Sequence, residues 1–257
     1  MYSDAHTHLL GSPFGDNVLN DEEIKTLLQK VRKNNINLIV VGSHDLPSAK
    51  KVMDIAARED IVYASIGIHP WIAQMIDEET MAAFLALAKV PKVVAVGEIG
   101  LDEARSKASK ETQIECLRQQ LRLAKETGLP PILHQRGFHK ELMNILKEED
   151  PPCGAIHGFN GNEEELKDWL ELGYYFTVGR TVLTPDGEKL KEVIKKIPLE
   201  KLLLESDGAT RLADGTIEGQ ERVIKVAEVV ASWRGTTKEH LGEKTTENLK
   251  DFLKITA

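Results

Sequence analysis

Short apolar runs alternate with longer amphipathic stretches from one end of the chain to the other. The runs are rich in Val and Ile and lack polar alternation, a pattern typical of parallel strands covered on both faces. The stretches between them carry apolar residues at helical spacing, so the chain consists of repeated strand–helix units. The predicted strands are residues 2–5, 37–41, 62–66, 93–96, 131–133, 155–156, 174–178 and 202–204.

Capping residues mark several of the predicted helix ends. The segment Asn20-Asp21-Glu22-Glu23 predicts a helix start, because a cap residue is followed by a glutamate at the third helical position. Gly128 predicts a helix end, because glycine adopts the left-handed conformation that terminates helices. A second capping box is predicted from Thr236 to Glu239, ahead of the C-terminal helices.

The number of units sets the expected fold class. About eight strand–helix units favour a closed (β/α)₈ TIM barrel over an open, doubly wound sheet. The length of 257 residues is typical of one such barrel. We therefore expect an α/β protein with a single barrel domain over residues 1–257.

Composition and charge narrow the class of partner. The net charge of −8 argues against a broad surface for coating nucleic acid, since such surfaces are strongly basic. The two cysteines, Cys116 and Cys153, match no CxxC pattern, and we expect reduced thiols. No apolar run reaches the length needed to cross a bilayer, and the N-terminal residues do not resemble a signal peptide. We expect a cytoplasmic protein without a membrane partner.

Side chains of metal-ligating types follow most of the predicted strands. In a barrel the carboxyl ends of the strands converge on one mouth, so these side chains are expected to meet there. Four histidines and two carboxylates are too many for one tetrahedral ion and suit two divalent metals. The predicted metal ligands are His6, His8, Glu98, His134, His157 and Asp207.

Two of these ligands are also predicted to act in catalysis. Glu98 comes near the middle of the strand order, which makes it the natural bridge between two metals. Asp207 is both a ligand and the best candidate for the general base that takes a proton from a metal-activated water. His69 is predicted to contact substrate or phosphate, with packing against Trp71 as the alternative.

Two further side chains near the predicted mouth have more than one interpretation. Arg136 could bind an anionic oxygen with its guanidinium fork, or it could form a salt bridge at the rim. Asp102 could hold a ligand imidazole, or it could cap a local turn. His44, His139 and His240 are expected to be surface or structural residues.

An ordered series of motifs resembles the TatD-type metal-dependent hydrolases, within the broader amidohydrolase-like barrels, over nearly the whole chain. The resemblance implies a (β/α)₈ barrel, a two-metal site formed by the six ligands named above, and magnesium-dependent deoxyribonuclease activity that includes trimming from the 3′ end. Imidazole ligands themselves suit zinc, manganese or iron better than magnesium. The motifs are Asp4-Ala5-His6-Thr7-His8, Gly67-Ile68-His69-Pro70, Gly97-Glu98-Ile99-Gly100-Leu101-Asp102, Leu129-Pro130 through His134-Gln135-Arg136, His157-Gly158-Phe159-Asn160-Gly161, Leu203-Leu204-Glu205-Ser206-Asp207 and Thr246-Glu247-Asn248.

Three hypotheses about function follow. The first is a two-metal phosphodiesterase or deoxyribonuclease, similar to a 3′–5′ exonuclease, that uses Mg, Mn or Zn and takes DNA as substrate. The second is a small-molecule amidohydrolase or phosphoesterase, favoured by the acidic composition and by Gly208-Ala209-Thr210-Arg211, where the resembled family continues with Ala-Pro and an aromatic residue. The third is a non-catalytic metal-binding scaffold. The sequence leaves the oligomeric state open.

Overall fold

One parallel sheet runs through the chain in sequence order. The computed structural model describes residues 1–11, 18–212 and 214–255. Each strand is hydrogen-bonded to the next one along the chain. The strands are β1 (Tyr2–Thr7), β2 (Ile36–Gly42), β3 (Val62–Ile66), β4 (Val93–Asp102), β5 (Pro131–Arg136), β6 (Ala155–Ile156), β7 (Tyr175–Val178) and β8 (Leu202–Leu204).

Helices alternate with these strands. This alternation and the strand order confirm the predicted α/β class with a (β/α)₈ TIM-barrel fold. A short antiparallel pair, β9 (Thr210–Arg211) and β10 (Ile217–Glu218), follows β8. The α-helices are α1 (Asp21–Lys33), α2 (Leu46–Arg58), α3 (Glu78–Leu87), α4 (Lys110–Thr127), α5 (His139–Glu149), α6 (Glu163–Glu171), α7 (Gly187–Lys196), α8 (Arg222–Arg234) and α9 (Lys238–Leu253).

Three strands continue at least two residues further than the apolar pattern predicts. β1, β4 and β5 extend through Thr7, Asp102 and Arg136, because backbone pairing continues after the apolar run ends. In the β4–β5 ladder, for example, Gly100 is paired with His134. His6, Glu98 and His134 therefore lie inside strands, where regular backbone geometry fixes their direction, and the expectation that they follow the strands is wrong.

The helix caps are partly as predicted. Asn20 accepts hydrogen bonds from the N–H groups of Glu22 and Glu23 and completes the predicted capping box at the start of α1. Gly128 ends α4 in the left-handed conformation, with φ 70°. The predicted box at Thr236 is wrong by one residue: Thr237 is the cap, and its hydroxyl accepts from the His240 N–H at 3.2 Å.

The chain divides into two compact units, the first formed by residues 1–40 and 158–257 and the second by residues 41–157. In the first unit, α9 packs against α8, β1 and β8. Asn248 in α9 donates to the carbonyl oxygens of Leu199 (2.7 Å) and Leu202 (2.9 Å) at the start of β8. The C-terminal helices thus cover the strands that carry His6 and precede Asp207. A single domain over residues 1–257 stays a prediction.

In the second unit, two buried glutamines of α4 hold the strand ends. Gln120 accepts from the Ile68 N–H at 2.6 Å, just after β3. Gln113 accepts from the Asp102 N–H at 2.8 Å, at the end of β4. Both segments leave the regular ladder there, so side-chain amides satisfy backbone groups that would otherwise be buried without a partner. None of the described helices is long and apolar enough to cross a membrane.

Candidate metal centre

Three predicted ligands of the first unit lie together. His6 lies in β1 and His8 directly follows its end, and the period of two along a strand places both rings on the same side. Their Nε2 atoms are 3.1 Å apart. Together with an Asp207 carboxylate oxygen, they offer three ligand atoms that lie within 4.8 Å of one another. His6 is fully buried, whereas the Asp207 side chain is 22% exposed, so this set opens to solvent on the aspartate side.

The backbone of Asp207 is held in an unusual conformation. Its φ of 54° lies in the left-handed region, which Asp tolerates better than most residues, and Gly208 follows with φ 95°. The Asp207 N–H donates to the His6 carbonyl oxygen at 3.2 Å, and the Ala209 N–H donates to that of His8 at 3.1 Å. The chain after β8 is therefore tied to β1 on both sides of the carboxylate.

Arg222 at the start of α8 binds the backbone of the segment that carries Asp207. The side chain is 5% exposed, and its Nη1 donates to the carbonyl oxygens of Ser206 (2.7 Å) and Gly208 (3.3 Å). Its Nη2 forms an ion pair with Glu218 at 2.9 Å. A buried guanidinium needs such acceptors, and here they flank Asp207. Arg222 thereby fixes the direction of the Asp207 side chain.

A buried polar network lies beneath the histidines of β1. Asp4 accepts from the Ser206 N–H at 2.9 Å and from its hydroxyl at 2.5 Å. Gln220 donates to the Thr7 hydroxyl at 2.7 Å. Burial raises the pKa of Asp4 to about 8, although the hydrogen bonds from Ser206 favour the ionised form. The network links β1, the segment after β8 and the segment before α8, with Asp4 on the same face of β1 as His6 and Thr7 on the opposite face.

In the second unit, three histidines surround one carboxylate. Glu98 Oε1 is 2.5 Å from His134 Nδ1, 3.5 Å from His69 Nε2 and 3.6 Å from His157 Nε2. All four side chains are buried. The His134 and His157 rings are stacked, with centroids 6.2 Å apart. The predicted ligands Glu98, His134 and His157 are thus brought together, and His69 is part of the same cluster.

Glycines let β4 approach its neighbours around Glu98. A Cβ on Gly97 would lie 2.8 Å from Ile132 Cβ, and one on Gly100, whose φ is +152°, would collide with the His134 carbonyl oxygen. The Gly97–Glu98 peptide bond is cis. Small residues at these two positions bring the strand that carries Glu98 against the strand that carries His134.

Asp102 performs both of the roles proposed for it. Its Oδ2 lies 2.8 Å from His134 Nε2 and accepts from the Trp71 indole N–H at 2.6 Å. Its Oδ1 caps the following turn by accepting from the N–H groups of Ala104 and Arg105. Burial opposes ionisation, but the hydrogen bonds from His134, Trp71 and Arg105 outweigh it, and the pKa of Asp102 lies well below its usual range.

These contacts assign the ring protons. His134 lies between two carboxylates, with Nδ1 2.5 Å from Glu98 and Nε2 2.8 Å from Asp102; in the tautomer that donates its Nε2 proton to Asp102, the lone pair of Nδ1 faces Glu98 and can bind a metal. His69 differs, because its Nδ1 accepts from the Trp71 backbone N–H at 3.1 Å. In the neutral His69 ring the proton is then on Nε2, where it can donate a hydrogen bond but cannot bind a metal. Although His69 lies close enough to be grouped with the ligands, its geometry favours a donor.

Arg136, the other predicted substrate contact, lies at the end of β5. Its Nη1 donates to the adjacent Gln135 carbonyl oxygen at 2.7 Å. In the part of the chain that the structure describes, it forms no salt bridge at the rim, so the alternative interpretation finds no support. Its role toward an anion stays a prediction.

Sequence reasoning missed several neighbours of the ligands. Arg180 forms an ion pair with Asp207, with Nε 3.2 Å from Oδ2. His44 is buried, and its ring centroid is 6.1 Å from that of His69. The only hint in the sequence for Arg180 was its position directly after an apolar run. For Asp4, the signal was a carboxylate inside a predicted strand, where burial demands a partner.

The donor set in each unit fits a divalent cation. His6 Nε2 and His8 Nε2 face one another in the first unit, and an imidazole lone pair faces the Glu98 carboxylate in the second. Electron-pair donors at these separations are satisfied by a shared cation. Mixed imidazole and carboxylate ligands suit zinc, manganese and iron, and carboxylates also accept magnesium.

Comparisons with known proteins show the family to which this chain belongs. The family model described as TatD related DNase matches residues 3–254. The uncharacterized metal-dependent hydrolase YabD of Bacillus subtilis is 33% identical over 99% of this chain and 100% of its own length. The 3′-5′ ssDNA/RNA exonuclease TatD of Citrobacter koseri is 30% identical over 85% of this chain and 87% of its own. The crystal structure of YJJV, a TatD homologue from Escherichia coli, matches with a TM-score of 0.85 and 28% identity, covering 99% of this chain and 98% of that one. This chain therefore belongs to the TatD family of metal-dependent hydrolases.

Proposed function

We propose that this chain is a two-metal-dependent phosphodiesterase that acts on single-stranded nucleic acid ends, as a 3′–5′ deoxyribonuclease does. The observation that carries the proposal is the pair of ligand sets, one in each unit: His6, His8 and Asp207, and Glu98, His134 and His157. The relatives named 3′-5′ ssDNA/RNA exonuclease support nucleic acid as the substrate class. Expected cytoplasmic location and the single domain remain part of the proposal.

The metals, when bound, would supply a water of lowered pKa and positive charge opposite the phosphate. Asp207 is the best-suited general base, because it is the partly exposed carboxylate of its set. It takes a proton from the attacking water as the new P–O bond forms and the bond from phosphorus to the leaving oxygen breaks. Glu98 is proposed as the bridging carboxylate between the two metals.

Substrate contacts are proposed for two residues of the second unit. His69 carries its ring proton on Nε2 and can donate it to a phosphate oxygen, since Trp71 occupies Nδ1. Arg136 keeps guanidinium N–H groups beyond its bond to Gln135 for the same anion. Both are donors, which matches the negative charge that develops on phosphate oxygens during transfer.

The test is hydrolysis of a 3′-overhang DNA and of bis-(p-nitrophenyl) phosphate by chelator-treated protein after addition of Mg²⁺, Mn²⁺ or Zn²⁺. Both substrates should be cleaved only with metal, and Asp207→Asn should lose at least about a hundredfold in rate. Asp186→Asn is the matched control, because Asp186 is an exposed carboxylate of the same unit that pairs with Lys189. Cleavage that survives chelation, or full activity of Asp207→Asn, would refute the proposal.

A small-molecule hydrolase is the second candidate. The net charge of −8 disfavours long contacts with a polyanion. Activity on chromogenic esters, amides or phosphomonoesters without cleavage of DNA would replace the first proposal by this one.

A further inference from the structure

Arg180 lies beside the candidate metal centre and has no role in the proposed hydrolysis. Its Nε lies 3.2 Å from Asp207 Oδ2, and the side chain is 55% exposed. Across the described ranges, the other guanidinium N–H groups of Arg180 have no protein acceptor. Asp207 therefore shares one of its two carboxylate oxygens with a cation that still has a donor fork facing solvent.

The backbone fixes Arg180 at this position. β7 ends at Val178, and a Cβ on Gly179 would lie 2.7 Å from Glu205 Cγ. The missing side chain lets the end of β7 approach the end of β8 closely. A short 3₁₀ turn follows at once, with the Val182 N–H donating to the Gly179 carbonyl oxygen at 3.2 Å. The Cα of Arg180 is thus held near Asp207, while its exposed side chain can change rotamer.

The ion pair with Arg180 conflicts with the proposed roles of Asp207 as a metal ligand and general base. A carboxylate that binds a divalent metal and accepts a proton needs its oxygens for those partners. A guanidinium on Oδ2 competes with the metal for the same negative charge, and a bound divalent cation repels the guanidinium. Each of the two cations therefore weakens the binding of the other to Asp207.

We propose that Arg180 exchanges partners when metal binds. In the metal-free protein it neutralises Asp207, and in the metal-loaded protein its guanidinium turns to an oxygen of the substrate phosphate. The planar fork matches a phosphate group, to which arginine donates paired N–H···O bonds. The ligand class is therefore a phosphate ester, and the inference rests on the proposed function in that respect.

The first test needs no substrate. Mn²⁺ is titrated calorimetrically into metal-free wild type, Arg180→Gln and Arg211→Gln. Arg211 is the matched control, because it is an exposed arginine of the same unit whose partner is Glu23, 2.8 Å away. Removing the competitor should tighten Mn²⁺ binding by roughly three- to tenfold in Arg180→Gln, while Arg211→Gln stays within about twofold of wild type. Unchanged or weaker binding in Arg180→Gln would overturn the exchange.

The second test measures inorganic phosphate binding to the Mn²⁺-loaded proteins. Arg180→Gln should lose roughly tenfold in affinity and Arg180→Lys less, since lysine keeps the charge but not the fork. With bis-(p-nitrophenyl) phosphate, Arg180→Gln should raise KM by about the same factor and change kcat little. Phosphate affinity equal to that of Arg211→Gln would equally overturn the exchange. A wild type that hydrolyses nothing would refute the proposed function and leave both binding tests decisive.

Discussion

At the scale of single residues, Asp102 connects local structure to chemistry. One carboxylate oxygen caps the turn after β4, and the other holds both His134 and Trp71. Trp71 in turn fixes His69 through its backbone N–H. A single buried carboxylate therefore determines which nitrogen of one imidazole faces Glu98, and its indole partner does the same for a second imidazole.

Replacing Asp102 by Asn should weaken metal binding. The amide cannot favour the His134 proton on Nε2 as a carboxylate does, so the lone pair that faces Glu98 is lost for part of the time. We expect about a tenfold to hundredfold loss in Mn²⁺ affinity, measured by calorimetric titration.

Glu103→Gln is the matched control for that variant, because Glu103 is the neighbouring carboxylate and its side chain is exposed. It should bind Mn²⁺ as wild type does. Equal Mn²⁺ affinities for Asp102→Asn and Glu103→Gln would mean that Asp102 only stabilises the turn after β4.

The two cysteines should react very differently with a thiol reagent. Cys116 is 2% exposed and burial raises its pKa to about 12, whereas Cys153 is exposed. A raised pKa keeps the thiol protonated and unreactive at pH 8, since the thiolate is the nucleophile. Native protein should therefore react with Ellman's reagent at Cys153 alone, and denatured protein at both. Rapid labelling of native Cys153→Ser would contradict the burial of Cys116.

At the scale of elements, the strands and the segments that follow them carry the candidate site, and side chains of α4 and α8 hold these segments. α4 contributes Gln113 and Gln120 to the ends of β4 and β3. α8 contributes Arg222 to the segment after β8. The segment after β3, the end of β4 and the segment after β8 are thus bonded through their backbone groups to helix side chains, which hold these segments in place.

The α4–α5 contact gives a test of pH-dependent stability. Glu149 of α5, 10% exposed, pairs with Arg118 (2.7 Å) and Arg122 (2.9 Å) of α4. The hydrogen bond from Arg122, reduced in effect by burial and reinforced by Arg118, lowers the pKa of Glu149 below its ordinary value of 4.5. Such a group stabilises the fold above its unfolded pKa and loses that contribution as the pH falls through its folded pKa.

Glu149→Gln should therefore destabilise the protein by about 0.5–1 kcal/mol at pH 7, with a difference that shrinks below pH 4.5. Urea unfolding at several pH values measures it. Glu126→Gln, an exposed position of α4, should change the unfolding free energy little at any pH. If the loss in unfolding free energy caused by Glu149→Gln persisted unchanged in acid, the ion pair would not be its source.

At the scale of the whole molecule, charge determines how a polyanion can bind. The net charge of −8 repels nucleic acid in the absence of metal. Affinity must then come from the metal-loaded ligand sets and a few cations such as Arg136 and Arg180, with few phosphate contacts and few counterions released.

We therefore expect a labelled 3′-overhang oligonucleotide to bind at least about tenfold more tightly with Mn²⁺ than with EDTA. The logarithm of the affinity should fall only gradually as the logarithm of the salt concentration rises, with a negative slope whose magnitude is only a few units. Fluorescence anisotropy of the wild-type protein, with an oligonucleotide whose 3′-terminal linkages are phosphorothioates that resist hydrolysis, measures both. Equal binding in EDTA would show a metal-independent nucleic-acid surface instead.

Much of the candidate site could be predicted from the sequence, since the identity of a ligand is a local property. His6 and His8 share a face because of the strand period, and Glu98 and Asp207 belong to the metal-ligating residue types that follow the predicted strands 93–96 and 202–204. The contacts of Arg180, Arg222 and Asp4 could not be predicted in this way. Each joins segments that are distant along the chain, and no periodicity relates their positions.

The order of strands and helices, the (β/α)₈ class and the residue types of the candidate ligands could be predicted from sequence, because apolar periodicity and caps act over a few residues. The directions of these side chains and their polar partners depend on the tertiary structure. His134 lies against Asp102 at the end of the neighbouring strand, and Asp207 lies against Arg180, which follows β7. These are distances between different strand ends, and folding alone brings such ends together.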